Sequence, residues 1–554
     1  MTTVSSPAAT ATMTGGDAVA RTLEAMGVTK VFGIVSVHNL PTYRALAASD
    51  TIEVVACRHE QFAVHAADGY ARATGRLGVA LTSTGPGTTN AMSGLYEACY
   101  GSSPVLLITG QAESAYYGKG KGFVHEHETQ LDMLRTVTRR AETIWRTEDI
   151  SRTIAAVADD ARRGRPQACA VEIPIDQQYR RAEVELFGSP SVAPLEVDGD
   201  GIAAAVDALN GAERPLIWAG GGVVAADASA QLVALAEKLQ APVVTTIEGR
   251  GAIPEDHALA LGPRTERPDV ADVIAEADVV LAVGTRFQNY STRMWKLPIP
   301  GTLVHLDADP AVIGRNYPAD ITVVGDAAIG LARLVEAVDE RRPDEGFLDR
   351  SAKSVEADLE RSWSEIGPDH RSIAAIIRRL LPRDGLVVRD NTVPNYLWGN
   401  RVLPILEPRT SIRPSSGSIG PGIGLAVGAA AGTGRRTLLM AGDGGFQLGI
   451  GELATVAQYR LPMVICIFND GGYGVLRVIE DNVMGERFGV DLATPDFAAV
   501  ARGMGLAAES VDDIDGFETA FAAAVERDGP TLLEIDLNAL APMSFPLPPH
   551  QRQA

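Results

Sequence analysis

The chain has 554 residues, 46% hydrophobic and 21% charged, the balance of an ordinary globular protein too long for one core. At roughly 150 residues per domain this predicts about three or four domains. A formal net charge of −21 argues against nucleic acid and anionic membrane surfaces as partners, and no apolar run reaches membrane-spanning length.

Residues 1–14 are rich in Thr, Ser and Ala, without the basic start and apolar core of a signal peptide, and predict a disordered tail. From Gly15 the pattern alternates helix and strand. Asp17 to Met26 is amphipathic and stopped by Gly27, and apolar strands follow at Lys30 to Ile34, Val54 to Cys57, Val79 to Thr82, Val105 to Thr109 and Ala170 to Ile173. These predict an α/β domain over 15–185 built on a doubly wound parallel sheet. The polar stretch Arg180 to Gly201 reads as a linker.

A second α/β domain is predicted over 198–340, with strands at Leu216 to Ala219, Val243 to Thr246, Val279 to Val283 and Leu303 to Leu306. Turns of nucleotide-binding type follow its strands: Gly220-Gly221-Gly222, Gly284-Thr285-Arg286, Asp307-Ala308-Asp309 and Gly325-Asp326. The charged run Asp339 to Arg361 reads as a boundary, 365–540 as a third doubly wound domain, and 541–554 as a tail or lid. Cys57, Cys99, Cys169 and Cys466 sit singly in apolar segments without metal-ligand spacing. They imply buried reduced thiols and a cytoplasmic protein.

The third domain holds the most specific signal. Thr437 to Met440 is an apolar strand that runs into Gly442-Asp443-Gly444, a helical stretch follows, and a second strand, Met463 to Phe468, delivers Asn469 to a turn. Asp443 and Asn469 thus emerge at carboxyl ends of strands, the edge where open α/β sheets bind ligands. Asp443, Asn469 and the Gly471 carbonyl are the hard oxygen donors that Mg2+ accepts alongside diphosphate oxygens. An isolated Asp-Gly turn is common and mostly structural, so a second signal is needed.

That signal lies upstream, in VVACRHEQFAVHAADGYARATG and GVALTSTGPGTTNAMSGLYEACYGSSPVLLITGQ. With these segments the chain resembles the thiamine-diphosphate-dependent enzymes of the acetolactate synthase, oxalyl-CoA decarboxylase and 2-hydroxyacyl-CoA lyase group over nearly all its length. The resemblance implies a carbon–carbon lyase or carboligase using thiamine diphosphate and Mg2+. It assigns Glu60 as the carboxylate beside the aminopyrimidine and Asn90 as a coenzyme-binding residue. Ser418 and Ile419 match a segment whose bulky residue wedges between the coenzyme rings. Gly442, Gly444, Gly445, Tyr473 and Gly474 match the diphosphate turn. Because relatives bring the glutamate and the diphosphate site from different subunits, it also implies a homodimer or homotetramer.

Substrate choice is expected in loops facing the reactive carbon. Val37 offers an apolar wall, and His38 is either wall or proton carrier. In KGKGFVHEHETQ, His127 is the first candidate acid/base and His125 the second, whereas a metal site lacks a third ligand. The nucleotide-type turns, with Gly221, Gly222, Arg286, Asp307 and Asp326, resemble those holding FAD or ADP in relatives. Arg264, Arg267, Arg401, Arg409 and Arg413 suggest an acyl-CoA dock. Together these lean toward a lyase cleaving 2-hydroxyisobutyryl-CoA, or a similar thioester, to formyl-CoA and a ketone or aldehyde such as acetone. The alternative is an acetolactate synthase-like carboligase or 2-oxo acid decarboxylase without CoA. Those lyases would carry a carboxylate at the position of Ala493.

Overall fold

Three six-stranded parallel sheets, one per expected domain, carry the chain in a computed structural model that describes residues 9–188, 193–342 and 344–544. The first runs, edge to edge, Glu53–Ala56, Lys30–Gly33, Gly78–Thr82, Val105–Gln111, Cys169–Pro174, Arg140–Thr143. The third runs Ser411–Ile412, Leu386–Arg389, Thr437–Gly442, Met463–Asn469, Thr531–Asp536, Ala507–Val511. Strands such as Val105–Gln111 and Thr437–Gly442 are buried at every position because helices cover both faces. Hence they read as continuous apolar runs rather than alternations.

The first and third sheets each start on the strand next to one edge, step out to that edge, then cross back. In the third, the chain lays down Leu386–Arg389, moves outward to Ser411–Ile412, and returns to Thr437–Gly442 on the other side. The crevice between Leu386–Arg389 and Thr437–Gly442 is therefore a topological switch point, the place where such sheets take ligands.

The first and third domains meet backbone to backbone. Helix Glu60–Thr74 packs on helix Gly422–Thr433, and both present small residues at the contact. A Cβ on Gly69 would lie 2.0 Å from the Leu425 carbonyl oxygen, and one on Gly428 would lie 1.7 Å from that of Ala66. Only glycine permits this approach.

Three expectations need correction. The tail is ordered from Ala9: strand Ala9–Thr14 pairs antiparallel with Arg181–Leu186, and only residues 1–8 lie outside the described residues. The linker expected from Arg180 therefore begins as that strand. Its Ala/Thr partner has side chains too small to show an alternating pattern. The charged run Asp339 to Arg361 is no open boundary either, because from Glu345 it enters helix Glu345–Leu380, broken once at Gly367 (φ 77°). Two of its arginines reach the middle domain: Arg361 pairs with Asp269 and Arg350 with Glu276, each at 2.7 Å. The expected lid over 541–554 lies, beyond Ser544, outside the described residues.

Candidate active site

Glu60 is the first residue of helix Glu60–Thr74, just after strand Glu53–Ala56. His59 caps the helix, its Nδ1 accepting the Gln61 N–H at 3.2 Å. The Glu60 Oε2 accepts from Asn90 Nδ2 at 3.0 Å. Oε1 lies toward Gly87, where a Cβ would come within 3.2 Å of it. Asn90, expected to touch coenzyme, thus orients the carboxylate and leaves one oxygen for other chemistry. The loop that carries Glu60 is tied to the third domain of the same chain. Glu452 Oε1 accepts the Arg58 and His59 N–H groups at 2.8 and 3.1 Å, and the Tyr459 hydroxyl bonds Ala56 N and Val54 O. Nothing in the sequence singles out Glu452, whose partners lie about four hundred residues upstream.

At the switch-point edge of the third sheet, Gly442 precedes the short helix Asp443–Phe446, and Asn469 ends the neighbouring strand. Asp443 is 1% exposed, and its Oδ2 has no hydrogen-bond partner. Burial first, then the nearby Asp470, pushes its pKa up to about 6. An orphan oxygen on a buried carboxylate is what a bound cation satisfies. The Asn469 amide is oriented by Nδ2 donating to Glu534 at 2.8 Å, while its Oδ1 faces the turn and accepts the Gly471 N–H at 3.1 Å. The Gly471 carbonyl, expected as a third ligand, is engaged otherwise: it accepts the Leu492 N–H at 2.9 Å and the Arg477 guanidinium. Among the described residues no three His, Cys, Asp or Glu side chains cluster as a metal site. Asp443, the Asn469 oxygen and diphosphate oxygens make the oxygen-only set that suits Mg2+.

Close approach dictates the glycines. A Cβ on Gly444 would strike the Tyr473 ring at 2.8 Å, and one on Gly474 would meet Asp470 Oδ2 at 2.0 Å. Gly445 opens toward the other half of the crevice, its Cβ position 3.6 Å from Ile419 Cβ and 3.5 Å from Gly420 N. Ile419 is 39% exposed, a large apolar side chain left uncovered, and the neighbouring Ser418 hydroxyl lies 3.1 Å from that of Ser416. The residues present fit a coenzyme diphosphate on one wall and an apolar wedge on the other. If they hold thiamine diphosphate and Mg2+, adding both at a hundred times the dissociation constant stabilises the fold by about 2.7 kcal/mol. A thermal melt should show that rise, and Asp443→Ala should abolish it. A rise that survives Asp443→Ala would mean that the cation is held elsewhere.

The substrate-side loops assemble differently from expectation. His38 is 3% exposed, and its ring centroid lies 5.0 Å from that of His125 and 6.2 Å from that of Phe123. Burial first, then His125, lowers the His38 pKa from 6.5, so the ring is neutral near pH 7. His125 sits in the left-handed region (φ 61°), pressed on Gly85. His127, the first candidate, instead accepts the Thr129 N–H at 3.3 Å through Nδ1 and shapes the local turn. Val37 and Val124 stand out at 67% and 65% exposed. Ala493 is exposed, next to the Leu492 whose N–H bonds Gly471.

The arginines suggested as a CoA dock are committed elsewhere. Arg264 is 6% exposed and pairs with Asp358 at 3.1 Å, a carboxylate it shares with Arg267. Arg401 pairs with Glu266, and Arg413 with Glu248. Sequence alone could not reveal these partners, which lie 94 to 165 residues away. Arg409 bonds Asp227 at 2.7 Å and lines a cavity of about 340 Å3 where all three domains meet. Gly221, Gly222, Arg286, Asp307 and Asp326 line the same cavity, so the structure brings the five suggested nucleotide residues together. Arg72, Arg165 and Arg413 also border it. Burial pushes the Asp307 pKa up to about 6.

Three parallel sheets, with Glu60 just after an edge strand of the first and an Asp443–Asn469 pair at the switch-point edge of the third, form an arrangement able to take a diphosphate coenzyme with its cation. The chain belongs to the thiamine pyrophosphate enzyme family: residues 13–134 match its N-terminal TPP binding domain, 202–334 its central domain and 394–535 its C-terminal TPP binding domain. It is 34% identical to a "Probable 2-ketoarginine decarboxylase AruI" of Pseudomonas aeruginosa, over 95% of this chain and 94% of that one. It is 32% identical to an acetolactate synthase large subunit of Parasynechococcus marenigrum, over 95% of this chain and 87% of that one. A solved structure described as a "putative thiamin diphosphate-dependent enzyme" from Mycobacterium smegmatis superposes with a TM-score of 0.80 at 25% identity, covering 95% of this chain and 99% of that one.

Proposed function

We propose that the protein is a Mg2+- and thiamine-diphosphate-dependent enzyme that breaks or forms the bond beside the carbonyl carbon of a 2-oxo acid, as a decarboxylase or carboligase. The observation that carries the reading is the Glu60 carboxylate, fixed through Oε2 by Asn90 with Oε1 left free. When bound, thiamine diphosphate supplies an acidic ring carbon and an electron sink next to the bond that changes. Glu60 holds and returns a proton at its free oxygen. Asp443 and Asn469 hold the cation that neutralises the diphosphate, and Ile419 supports the coenzyme from the apolar side. Similarity to proteins named as an acetolactate synthase large subunit and a "Probable 2-ketoarginine decarboxylase" supports the substrate class.

Exposed apolar groups on both halves favour assembly. Val35, Val37, Leu40 and Val124 of the first domain, and Leu448, Leu476, Met484 and Phe488 of the third, are each at least 47% exposed. In a homodimer or homotetramer they cover one another, which closes the site around Glu60 of one subunit and Asp443 of the next. The arginine-lined cavity suits a nucleoside diphosphate such as ADP.

A second reading is 2-hydroxyacyl-CoA lysis, releasing formyl-CoA and a ketone such as acetone. One observation favours it: the buried neutral His38 against His125, beside apolar Val37, is a base suited to a substrate hydroxyl rather than to a carboxylate. Incubation with pyruvate and with 2-hydroxyisobutyryl-CoA, assayed for CO2 and formyl-CoA, decides between them. CO2 without thioester cleavage supports the 2-oxo acid, and formyl-CoA without CO2 overturns it.

Under this second reading His38 also sets a pH dependence. A base with a lowered pKa stays competent above that value, so the acid limb of kcat/KM should fall below 6.5. His125→Asn removes a group that lowers the His38 pKa, so the limb should move upward. An unmoved limb means that another group titrates.

A further inference from the structure

Directly after strand Leu386–Arg389, on the same switch-point edge as Asp443, stand Asp390 and Asn391. Asp390 is 2% exposed, and its carboxylate collects backbone N–H groups from the wedge segment: Gly420 N reaches both oxygens at 3.0 Å and Gly422 N reaches Oδ2 at 2.9 Å. Asn391 N closes on Oδ1 at 2.6 Å. From the other side, Asn391 Nδ2 donates to the carbonyls of Gly417 and Ser418, both at 2.7 Å. Ile419 is therefore bracketed, with its preceding carbonyls held by Asn391 and its following amides by Asp390.

The glycines in this segment follow from the clamp. A Cβ on Gly422 would sit 2.8 Å from Asp390 Cβ and Oδ2, and Gly420 adopts φ 98° against Leu448. The carboxylate also faces the diphosphate side, with Oδ1 3.8 Å from the Cβ position of Gly445. Asn395 Nδ2 anchors the strand end beneath, bonding the carbonyls of Asp390 and Met440. One acidic residue thus spans the wedge segment and the turn that would meet the diphosphate.

We propose that Asp390 and Asn391 are positioning residues that fix the height of Ile419 in the cofactor crevice, and so set how tightly the coenzyme is bent. The inference rests on the proposed thiamine diphosphate site. A burial-raised pKa of about 6 leaves Asp390 ionised near neutrality, the state that accepts these N–H groups best.

The test uses the full-length enzyme with thiamine diphosphate and Mg2+. It measures coenzyme binding by calorimetry, exchange of the thiazolium C2 proton of bound coenzyme by quenched NMR, and melting of the coenzyme-free protein. Asn391→Ala deletes two exposed hydrogen bonds and is expected to slow C2 exchange about tenfold or more, since small displacements of positioned groups cost rate steeply. Coenzyme-free melting should be unchanged. Combined with Ile419→Ala, Asn391→Ala should add almost nothing, because its effect runs through Ile419. Asp390→Asn places an amide N–H against the Gly420 and Gly422 N–H groups, and should slow exchange at least as much. Additive effects of Asn391→Ala and Ile419→Ala would overturn the inference, as would an exchange loss matched by a fall in coenzyme-free melting. Wild-type protein that binds no coenzyme would overturn the proposed site itself, a result the calorimetry reads separately.

Discussion

Replacing Glu60 with glutamine is expected to lower kcat about a thousandfold, within the range that proton-transferring side chains contribute. The substitution is isosteric. The glutamine oxygen can still accept from Asn90 Nδ2, now 3.0 Å from Oε2, and the His59 cap on Gln61 N is untouched. What disappears is a carboxylate able to hold and release a proton at the oxygen beside Gly87. Thermal melting and coenzyme affinity should therefore stay close to wild type while turnover collapses. Steady-state kinetics at saturating coenzyme measure the effect, and near-normal kcat would remove Glu60 from the chemistry.

Gly428→Val is expected to be the most destabilising single change at the joint between the first and third domains. Even its first carbon would lie 1.7 Å from the Ala66 carbonyl oxygen and 2.5 Å from the carbon behind it. Both atoms are backbone within helix Glu60–Thr74, so no rotamer change relieves the clash, and the helices must part. Overpacking of this kind costs about 3 kcal/mol or more. Parting them also shifts the helix start that bears Glu60, so residual folded protein should be inactive. Gly434→Ala is the control: nothing lies within 4 Å of its added carbon, and the left-handed φ of 66° leaves only backbone strain of about 1 kcal/mol. Urea unfolding of both variants checks the contrast, and equal losses would mean that the helix contact tolerates separation.

Much of this was legible in the sequence because the features are local. Fully buried parallel strands read as unbroken apolar runs, and the Asp443 to Asn469 spacing is one strand–helix–strand unit with both residues on one edge. What escaped was long-range or unusual. The ribbon of Ala9–Thr14 with Arg181–Leu186 pairs segments about 170 residues apart. The charge of Arg264 looked available until Asp358, on a helix expected to be a boundary, came to meet it. The His38–His125 pair depends on a residue with φ 61°, a conformation no side-chain pattern announces. Asp390 and Glu452 follow no motif, and only the folded backbone shows which amides they accept.

The contact between Glu60–Thr74 and Gly422–Thr433 divides the molecule into a part that cannot be retuned and a part that can. At Gly69 and Gly428 the helix bearing Glu60 is seated main chain on main chain, so no side chain there can be trimmed to nudge the glutamate by small steps. New specificity must come from rim segments that touch this chassis only lightly: the turn at Val37, the loop with Val124 and His125, and the stretch from Met484 through Ala493. Libraries aimed at those segments would explore substrates while the proton-handling geometry stays in register.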